Sequence, residues 1–100
     1  RLRGSDVLCR IGGEEFVVIC RRIDKKDAIK LAEDIRESVE GRVTNTGKDA
    51  IKVTISIGVA TVMKDNIDTH IENIFKFADI ALYHSKENGR NRVTHYSDIA

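Results

Sequence analysis

Hydrophobic and polar positions follow each other in blocks that predict two short strands, a helix, a longer strand, a second helix and a final strand. The first two apolar runs, residues 7–11 and 16–20, are short and rich in β-branched and aromatic side chains, which is typical of strands. Gly12 and Gly13 lie between them. Because glycine adopts the positive φ that tight turns need, a hairpin is expected here. With a turn over residues 12–15, Ile11 faces Phe16.

Residues 24–40 carry a helical pattern. Asp24 is a suitable N-cap, since its carboxylate can accept from the free N–H groups of the first turn. Apolar residues then recur at spacings of three and four and form one stripe: Ala28, Leu31, Ala32, Ile35 and Val39. Gly41 follows and is expected to end the helix in the left-handed C′ conformation.

Residues 50–62 predict the longest strand, after a short edge strand at 42–45 and a turn at 46–49. Branched residues occupy alternate positions, so that they share one face to be covered by a helix: Ile51, Val53, Ile55, Ile57 and Val59. The opposite face ends in Ser56, Gly58 and Ala60. Such small residues indicate that something packs or binds closely there.

The second helix is predicted after a polar loop at 64–68. Thr69 and Glu72 have the spacing of a capping box, in which each side chain satisfies a backbone donor of the other residue. An apolar stripe follows at Ile71, Ile74, Phe75, Ala78, Ala81, Leu82 and Ser85. Gly89 is expected at the C′ position, and residues 92–96 alternate weakly as a final strand.

This order of elements predicts an α+β sandwich, with helices packed on a mixed or antiparallel sheet. One hairpin and one long strand make a narrow sheet for two strongly apolar helices. A sheet that lacks a central strand is what an N-terminal truncation would leave. The chain also begins at Arg1 without a Met, which suggests a piece of a longer protein.

Composition limits the class of protein. The 100 residues, 41% hydrophobic and 33% charged, suit one soluble globular domain or part of one. A net charge of +1 gives no general attraction for nucleic acid. The absence of a long apolar run or a signal peptide favours the cytoplasm. Cys9 and Cys20 are not opposed in the predicted hairpin, and free thiols fit that reducing compartment. The three histidines lack the spacing of metal ligands.

Two groups of residues could carry chemistry. Glu14 and Glu15 form a carboxylate pair at the glycine turn, which could hold a divalent cation and accept a proton, or could be an ordinary solvated turn. Lys86 and Arg90 lie four residues apart at a helix end. They could clamp a polyphosphate, or could simply be cations favoured by the helix dipole.

The pentapeptide from Gly12 to Phe16 resembles the signature hairpin of the GGDEF family, the diguanylate cyclases, in its GGEEF form. Arg3 and Asp6 fit the family's RxxD inhibitory-site motif. Residues 53–59 fit its long strand, and residues 78–91 fit its last helix and the following turn. The similarity covers essentially all of residues 1–100, which are identified as the C-terminal portion of a single GGDEF domain with a palm-like nucleotidyl-cyclase fold.

The resemblance implies that two GTP molecules are condensed into cyclic di-GMP and pyrophosphate by a homodimer, with Mg²⁺ or Mn²⁺. Glu14 would bind metal and accept a proton, and Glu15 would contribute to catalysis or to metal binding. Gly12 and Gly13 would let the backbone approach the nucleotide. Lys86 and Arg90 would contact the β- and γ-phosphates. A sensory or receiver domain is expected upstream in the parent protein, which could itself be tethered to a membrane.

At the inhibitory site, Arg3 and Asp6 would bind a dimer of the product. Some members of the family add an arginine from the first helix, where this chain has Asp34, with Arg36 half a turn away. The family's main metal-binding Asp and its guanine-reading residues precede this segment, so the chain alone is expected to be inactive. One alternative is a receptor that senses cyclic di-GMP through Arg3 and Asp6 without catalysis. Another is a structural or dimerisation domain.

Overall fold

The computed structural model describes residues 6–41, 43–45, 50–62 and 71–99. Its strands are β1 (Asp6–Gly12), β2 (Glu15–Arg21), β3 (Val43–Asn45), β4 (Ala50–Lys52), β5 (Ser56–Val62) and β6 (Val93–His95). The helices are α1 (Lys25–Glu40) and α2 (Ile71–Glu87), and a 3₁₀ turn (Tyr96–Asp98) follows β6. Within these residues, neither helix has the length and the apolar run needed to span a bilayer.

Four strands form one mixed sheet in the order β1-β2-β5-β6. Strand β1 pairs antiparallel with β2, whereas β5 runs parallel to both β2 and β6. In the hairpin, Ile11 pairs with Phe16, as the turn over residues 12–15 predicted, and Cys9 pairs with Val18. The structure therefore confirms the α+β class with helices on a mixed sheet.

The two helices cover opposite faces of this sheet, because successive side chains of a strand point to opposite sides. Helix α1 covers one face, where its stripe packs on residues that include Val18, Cys20, Ile55, Ile57 and Val59. Helix α2 covers the other face, where Ile74, Ala78 and Leu82 pack on Val17, Ile19 and Ala60. The branched face of β5 thus meets α1, as predicted.

The small-residue face of β5 permits an unusually close approach of α2. A Cβ atom added at Gly58 would lie 2.1 Å from the Ala78 carbonyl oxygen and 2.3 Å from the Leu82 backbone nitrogen. Ser85, fully buried, donates from Oγ to the Ile57 carbonyl oxygen at 2.9 Å, which ties the C-terminal part of α2 to the strand. The expectation that something packs closely on this face is correct, and the element that packs there is α2.

One predicted strand is wrong in its extent. Residues 50–62 are divided between β4, which pairs antiparallel with β3 in a separate two-stranded ribbon, and β5 in the main sheet. Residues 53–55 belong to neither strand. An alternating pattern identifies the two faces of an extended segment but not its hydrogen-bonding partners, which change here between the two halves.

The helix ends agree with the sequence in two places and differ in one. Asp24 caps α1, with its Oδ1 accepting from the Asp27 N–H at 2.8 Å. Gly89 has the expected positive φ of +115° after α2. Gly41, however, has φ −74° and ψ −7° and is right-handed. It continues the last turn by donating its N–H to the Glu37 carbonyl oxygen at 2.9 Å, so that no left-handed residue is needed there.

Several predicted features lie outside the described residues. These are the residue Arg3, the side chain of Asp6, the turn at 46–49, the loop at 64–68, and Thr69 of the capping box. Both cysteines are described and are free thiols. Cys20 is buried, and this burial together with the smaller effect of the neighbouring Cys9 raises its pKa to about 11.

Candidate functional site

The tip of the hairpin is a two-residue loop. Gly12 pairs with Glu15, which leaves Gly13 and Glu14 as the central residues. Gly13 has φ +59°, the value that a type II′ turn requires at its first central position. The Glu14 carbonyl oxygen accepts from the Ser56 N–H at 3.0 Å, and this bond anchors the tip to the beginning of β5. The Glu14 residue itself is exposed, so its carboxylate is presented to solvent at a fixed corner.

Glu15 connects the hairpin to α2. Its Oε2 lies 2.9 Å from Lys86 Nζ, and the Lys86 side chain is only 26% exposed. The hydrogen bond and the charge of Lys86 lower the pKa of Glu15 against the opposing effect of desolvation, and the charges of Arg90 and Arg10 add smaller contributions that lower it. Three cations therefore converge on one carboxylate, although Lys86 is 71 positions away in sequence.

The turn after α2 has an unusual backbone. Arg90 donates its N–H to the Ser85 carbonyl oxygen at 2.9 Å, which is the longer hydrogen bond of a Schellman motif. Gly89, Arg90 and Asn91 have φ values of +115°, +61° and +45°, so that three successive residues lie at positive φ. The motif turns the chain sharply, and Arg90 is exposed beside the hairpin.

A half-open cavity of about 200 Å³ adjoins this cluster. Its lining includes Arg10, Gly12 and Glu15 from the hairpin and Leu82 from α2. The cavity therefore has one acidic and one basic side chain above an apolar floor, next to glycine backbone that a ligand could approach closely.

Arg10 also belongs to this region, although no pattern in the sequence assigns it to the site. Its guanidinium forms an ion pair with Asp79 of α2 and lies 5.6 Å from the centre of the Phe75 ring. Nothing in the spacing of β1 points to α2, because the contact spans 69 positions. It fixes the hairpin against the helix from a second direction.

Metal ligands are incomplete in this part of the chain. Among residues 6–41, 43–45, 50–62 and 71–99, no group of three His, Cys, Asp or Glu side chains could hold a metal ion. Glu14 and Glu15 supply carboxylate oxygens of the kind that Mg²⁺ and Mn²⁺ prefer. They fit as two ligands of a site whose remaining ligands would come from elsewhere.

The structure brings six of the predicted site residues to one edge of the fold: Gly12, Gly13, Glu14, Glu15, Lys86 and Arg90. Of the predicted inhibitory pair, Arg3 lies outside the described residues and Asp6 does not join them. Asp6 begins β1 opposite Arg21, at the far end of the hairpin, which is about 20 Å along the strand from the turn.

The mixed sheet thus brings an acidic hairpin tip next to cations at the end of α2. The family model described as diguanylate cyclase, GGDEF domain, matches residues 1–92. The chain belongs to the GGDEF family.

Curated relatives agree with this assignment. The chain is 45% identical over 94 residues to the probable diguanylate cyclase DgcT of Escherichia coli (strain K12), a match that covers 92% of this chain and 20% of that protein. It is 45% identical over 93 residues to diguanylate cyclase A of Treponema denticola, covering 92% and 24%. It is 43% identical over 94 residues to the response regulator PleD of Caulobacter vibrioides, covering 92% and 20%. The chain thus spans between a fifth and a quarter of the length of these relatives.

A solved structure supports the fold. The GGDEF domain of DgcB from Caulobacter crescentus, crystallised in complex with c-di-GMP, superposes with a TM-score of 0.66 at 28% identity. The match covers 80% of this chain and 46% of that chain.

Proposed function

We propose that the chain is the C-terminal part of a diguanylate cyclase domain, which condenses two GTP molecules into cyclic di-GMP and pyrophosphate. The observation that carries the proposal is the 2.9 Å contact between Glu15 and Lys86, with Arg90 and Arg10 close enough to lower the pKa of the same carboxylate. It places acidic groups that suit a metal ion beside cationic groups that suit a polyphosphate, as phosphoryl transfer requires.

In this reaction a 3′-hydroxyl oxygen forms a bond to the α-phosphorus of the other nucleotide, and the bond to the β-phosphate breaks to release pyrophosphate. Glu14, exposed at the hairpin tip, takes the hydroxyl proton and passes it to solvent. Lys86 and Arg90 hold the β- and γ-phosphates and stabilise the charge on the leaving group. Gly12 and Gly13 leave room for the nucleotide beside the backbone.

Mg²⁺ or Mn²⁺, when bound by Glu14 with Glu15, would supply positive charge to the reacting phosphate. This carboxylate pair fits such an ion as a partial ligand set only. The rest of the set, and the groups that read guanine, are proposed to lie in a preceding portion of the domain. For that reason the 100-residue chain by itself is expected to be inactive.

Each domain carries one hairpin tip, and the reaction joins two nucleotides through two such bonds. We therefore propose that the active form is a homodimer in which two sites face each other. Cyclic di-GMP itself is proposed to act as a product inhibitor, which the complex of the DgcB domain with c-di-GMP supports, and Arg3 and Asp6 are proposed as its site. The response-regulator relative favours an upstream receiver or other sensory domain. A cytoplasmic location is proposed for the domain.

The test is to incubate the full-length protein with GTP and Mg²⁺ or Mn²⁺ and to measure cyclic di-GMP. We expect product from the parent protein and none from Glu14→Ala, because the variant lacks the carboxylate at the hairpin tip. Glu37→Ala, which removes an exposed carboxylate from α1, is the matched control and should retain activity. A folded parent protein that binds GTP without making cyclic di-GMP would rule out the cyclase function.

A further inference from the structure

The turn that presents Arg90 is costly to maintain. Arg90 and Asn91 both lie at positive φ, a conformation that side chains other than glycine and asparagine rarely adopt. Arg90 has no conformational preference for this region, and Arg90 is also exposed, so packing of its own side chain does not fix it. Something in the surrounding structure has to hold the turn in place.

The side-chain amide of Asn91 is held at both ends by α1. Its Oδ1 accepts from Arg36 Nη1 at 3.0 Å, and its Nδ2 donates to Glu40 Oε2 at 2.6 Å. These contacts join positions 55 and 51 residues apart. Asn91 therefore connects the turn after α2 to a helix on the opposite face of the sheet.

Arg36 is itself rigidly placed. Its side chain is only 18% exposed, and Nε donates to Glu33 Oε1 at 2.6 Å while Nη1 also approaches Glu40 Oε1 at 3.4 Å. The hydrogen bond to Glu33 raises the pKa of the Arg36 guanidinium, which stays charged. One turn earlier, Ala32 is fully buried against the sheet, so that the helix that carries Arg36 cannot drift.

We propose that Arg36 and Glu40 are positioning residues, which hold the Gly89–Arg90–Asn91 turn through the Asn91 amide and so direct Arg90 toward the phosphates of GTP. This inference rests on the proposed function. Arg36 and Glu40 contact Asn91, and they are proposed to act on nucleotide binding only through it. Their effect on binding passes entirely through the placement of Arg90.

The experiment is a double-mutant cycle on triphosphate affinity, measured by calorimetry on the full-length protein with a non-hydrolysable GTP analogue and with inorganic triphosphate. Arg36→Met should lower the affinity for both ligands by about tenfold, a typical coupling for residues in one hydrogen-bond network. In an Arg90→Ala background, Arg36→Met should cause no further loss, because the side chain that it positions is absent.

Two further variants separate positioning from general damage. Lys30→Met removes a cation from the same helix, where Lys30 is 75% exposed and pairs only weakly with Asp34 at 3.5 Å, and should bind like the parent protein. Asn91→Gly keeps the positive φ without strain but removes the amide. It should lose affinity to the same degree as Arg36→Met, with an unchanged fraction of active sites in the calorimetric stoichiometry.

The outcomes distinguish the inference from the proposed function. If Arg90→Ala binds triphosphate as well as the parent, the phosphate role of Arg90 is wrong and the positioning role falls with it. If Arg90→Ala binds weakly but Arg36→Met matches Lys30→Met, only the positioning role is wrong. The positioning role would also be wrong if the losses of affinity of Arg36→Met and Arg90→Ala were additive in the double variant. It would be wrong as well if Arg36→Met lowered only the fraction of active sites and left the affinity unchanged.

Discussion

Replacing Gly58 with alanine should displace α2 from the sheet. The added Cβ would lie 2.1 Å from the Ala78 carbonyl oxygen, 2.3 Å from the Leu82 nitrogen and 2.8 Å from the Leu82 Cα. All three atoms are backbone, so no flexible side chain can turn away. Ordinary contact begins at about 3.4 Å, and therefore the helix has to move by roughly an ångström or more.

The energetic cost follows from that displacement. Overpacking a core costs about 1–3 kcal/mol when side chains and backbone can adjust. Here the helix that must shift also carries the fully buried Ala78 and Ala81, so we expect the upper end of that range, about 3 kcal/mol. For a domain of this size that is a fall in melting temperature of about 12–24 °C.

The assay is thermal or urea unfolding of Gly58→Ala beside Gly12→Ala. Gly12 is the matched control, because a Cβ added there meets no atom within 4 Å. The control should stay within about 0.5 kcal/mol of the parent protein. If the free energy of unfolding of Gly58→Ala falls no more than that of Gly12→Ala, the close approach of α2 to β5 is wrong.

Two other predictions concern pH and feedback. Burial lowers the pKa of His95 below its usual 6.5, and the charge of Lys25 lowers it further against an opposing effect of Asp98. Its Nδ1 accepts from the Ser97 N–H at 3.0 Å, a bond that protonation would remove. As the pH falls, the unfolded chain takes up the proton first. The contribution of neutral His95 to the free energy of unfolding is therefore fully present above about pH 6.5, and it is lost as the pH falls from there through the folded pKa. In unfolding measurements, His95→Gln should flatten the dependence of the free energy of unfolding on pH, whereas His84→Gln, at an exposed site, should not. Parallel curves for the parent protein and His95→Gln would contradict the reasoning. For feedback, Arg3→Ala should leave the initial rate of cyclic di-GMP synthesis intact and relieve product inhibition, and unchanged inhibition would show that the inhibitory-site assignment is wrong.

Local features of the fold could be predicted from the sequence because each depends on neighbouring residues. Glycines between two apolar runs determine the hairpin register, in which Ile11 meets Phe16. Asp24 precedes the apolar stripe of α1 and caps it. The face of β5 with small residues around Gly58 indicated that another element packs closely there, although it did not indicate which one.

Features that depend on distant partners could not be predicted in the same way. The break between β4 and β5 arises because Ala50–Lys52 pairs with β3 while Ser56–Val62 pairs with β2. The alternation of apolar and polar residues does not identify the strand with which a segment pairs. At the site, the resemblance drew attention to Lys86 and Arg90 but did not reveal that Glu15 contacts Lys86. The contacts of Arg10 with Asp79 and of Arg36 with Asn91 carry no local signal, since each joins positions more than 50 residues apart.

The connections between parallel strands show a further limit. Both β2-α1-β5 and β5-α2-β6 advance in the same direction across the sheet, yet their helices cover opposite faces. The two crossovers therefore have opposite hands, and one of them departs from the right-handed connection that nearly all proteins use. A general topological rule applied to this sequence would have placed one helix on the wrong face.

Strand β1 has a consequence for the behaviour of the protein in solution. It is the outermost strand of the four-stranded sheet, and Val7, Leu8 and Ile11 on it are exposed, Ile11 by 70%. Among the residues that the structure describes, no strand pairs with the outer edge of β1. An unpaired edge with apolar side chains is a template on which another chain can add, which is the first step of aggregation. Arg10 is the one charged residue among positions 7–12, and its charge interrupts the apolar run. Arg10, which holds the hairpin against α2, is thus also expected to hinder the addition of strands from other chains at this edge.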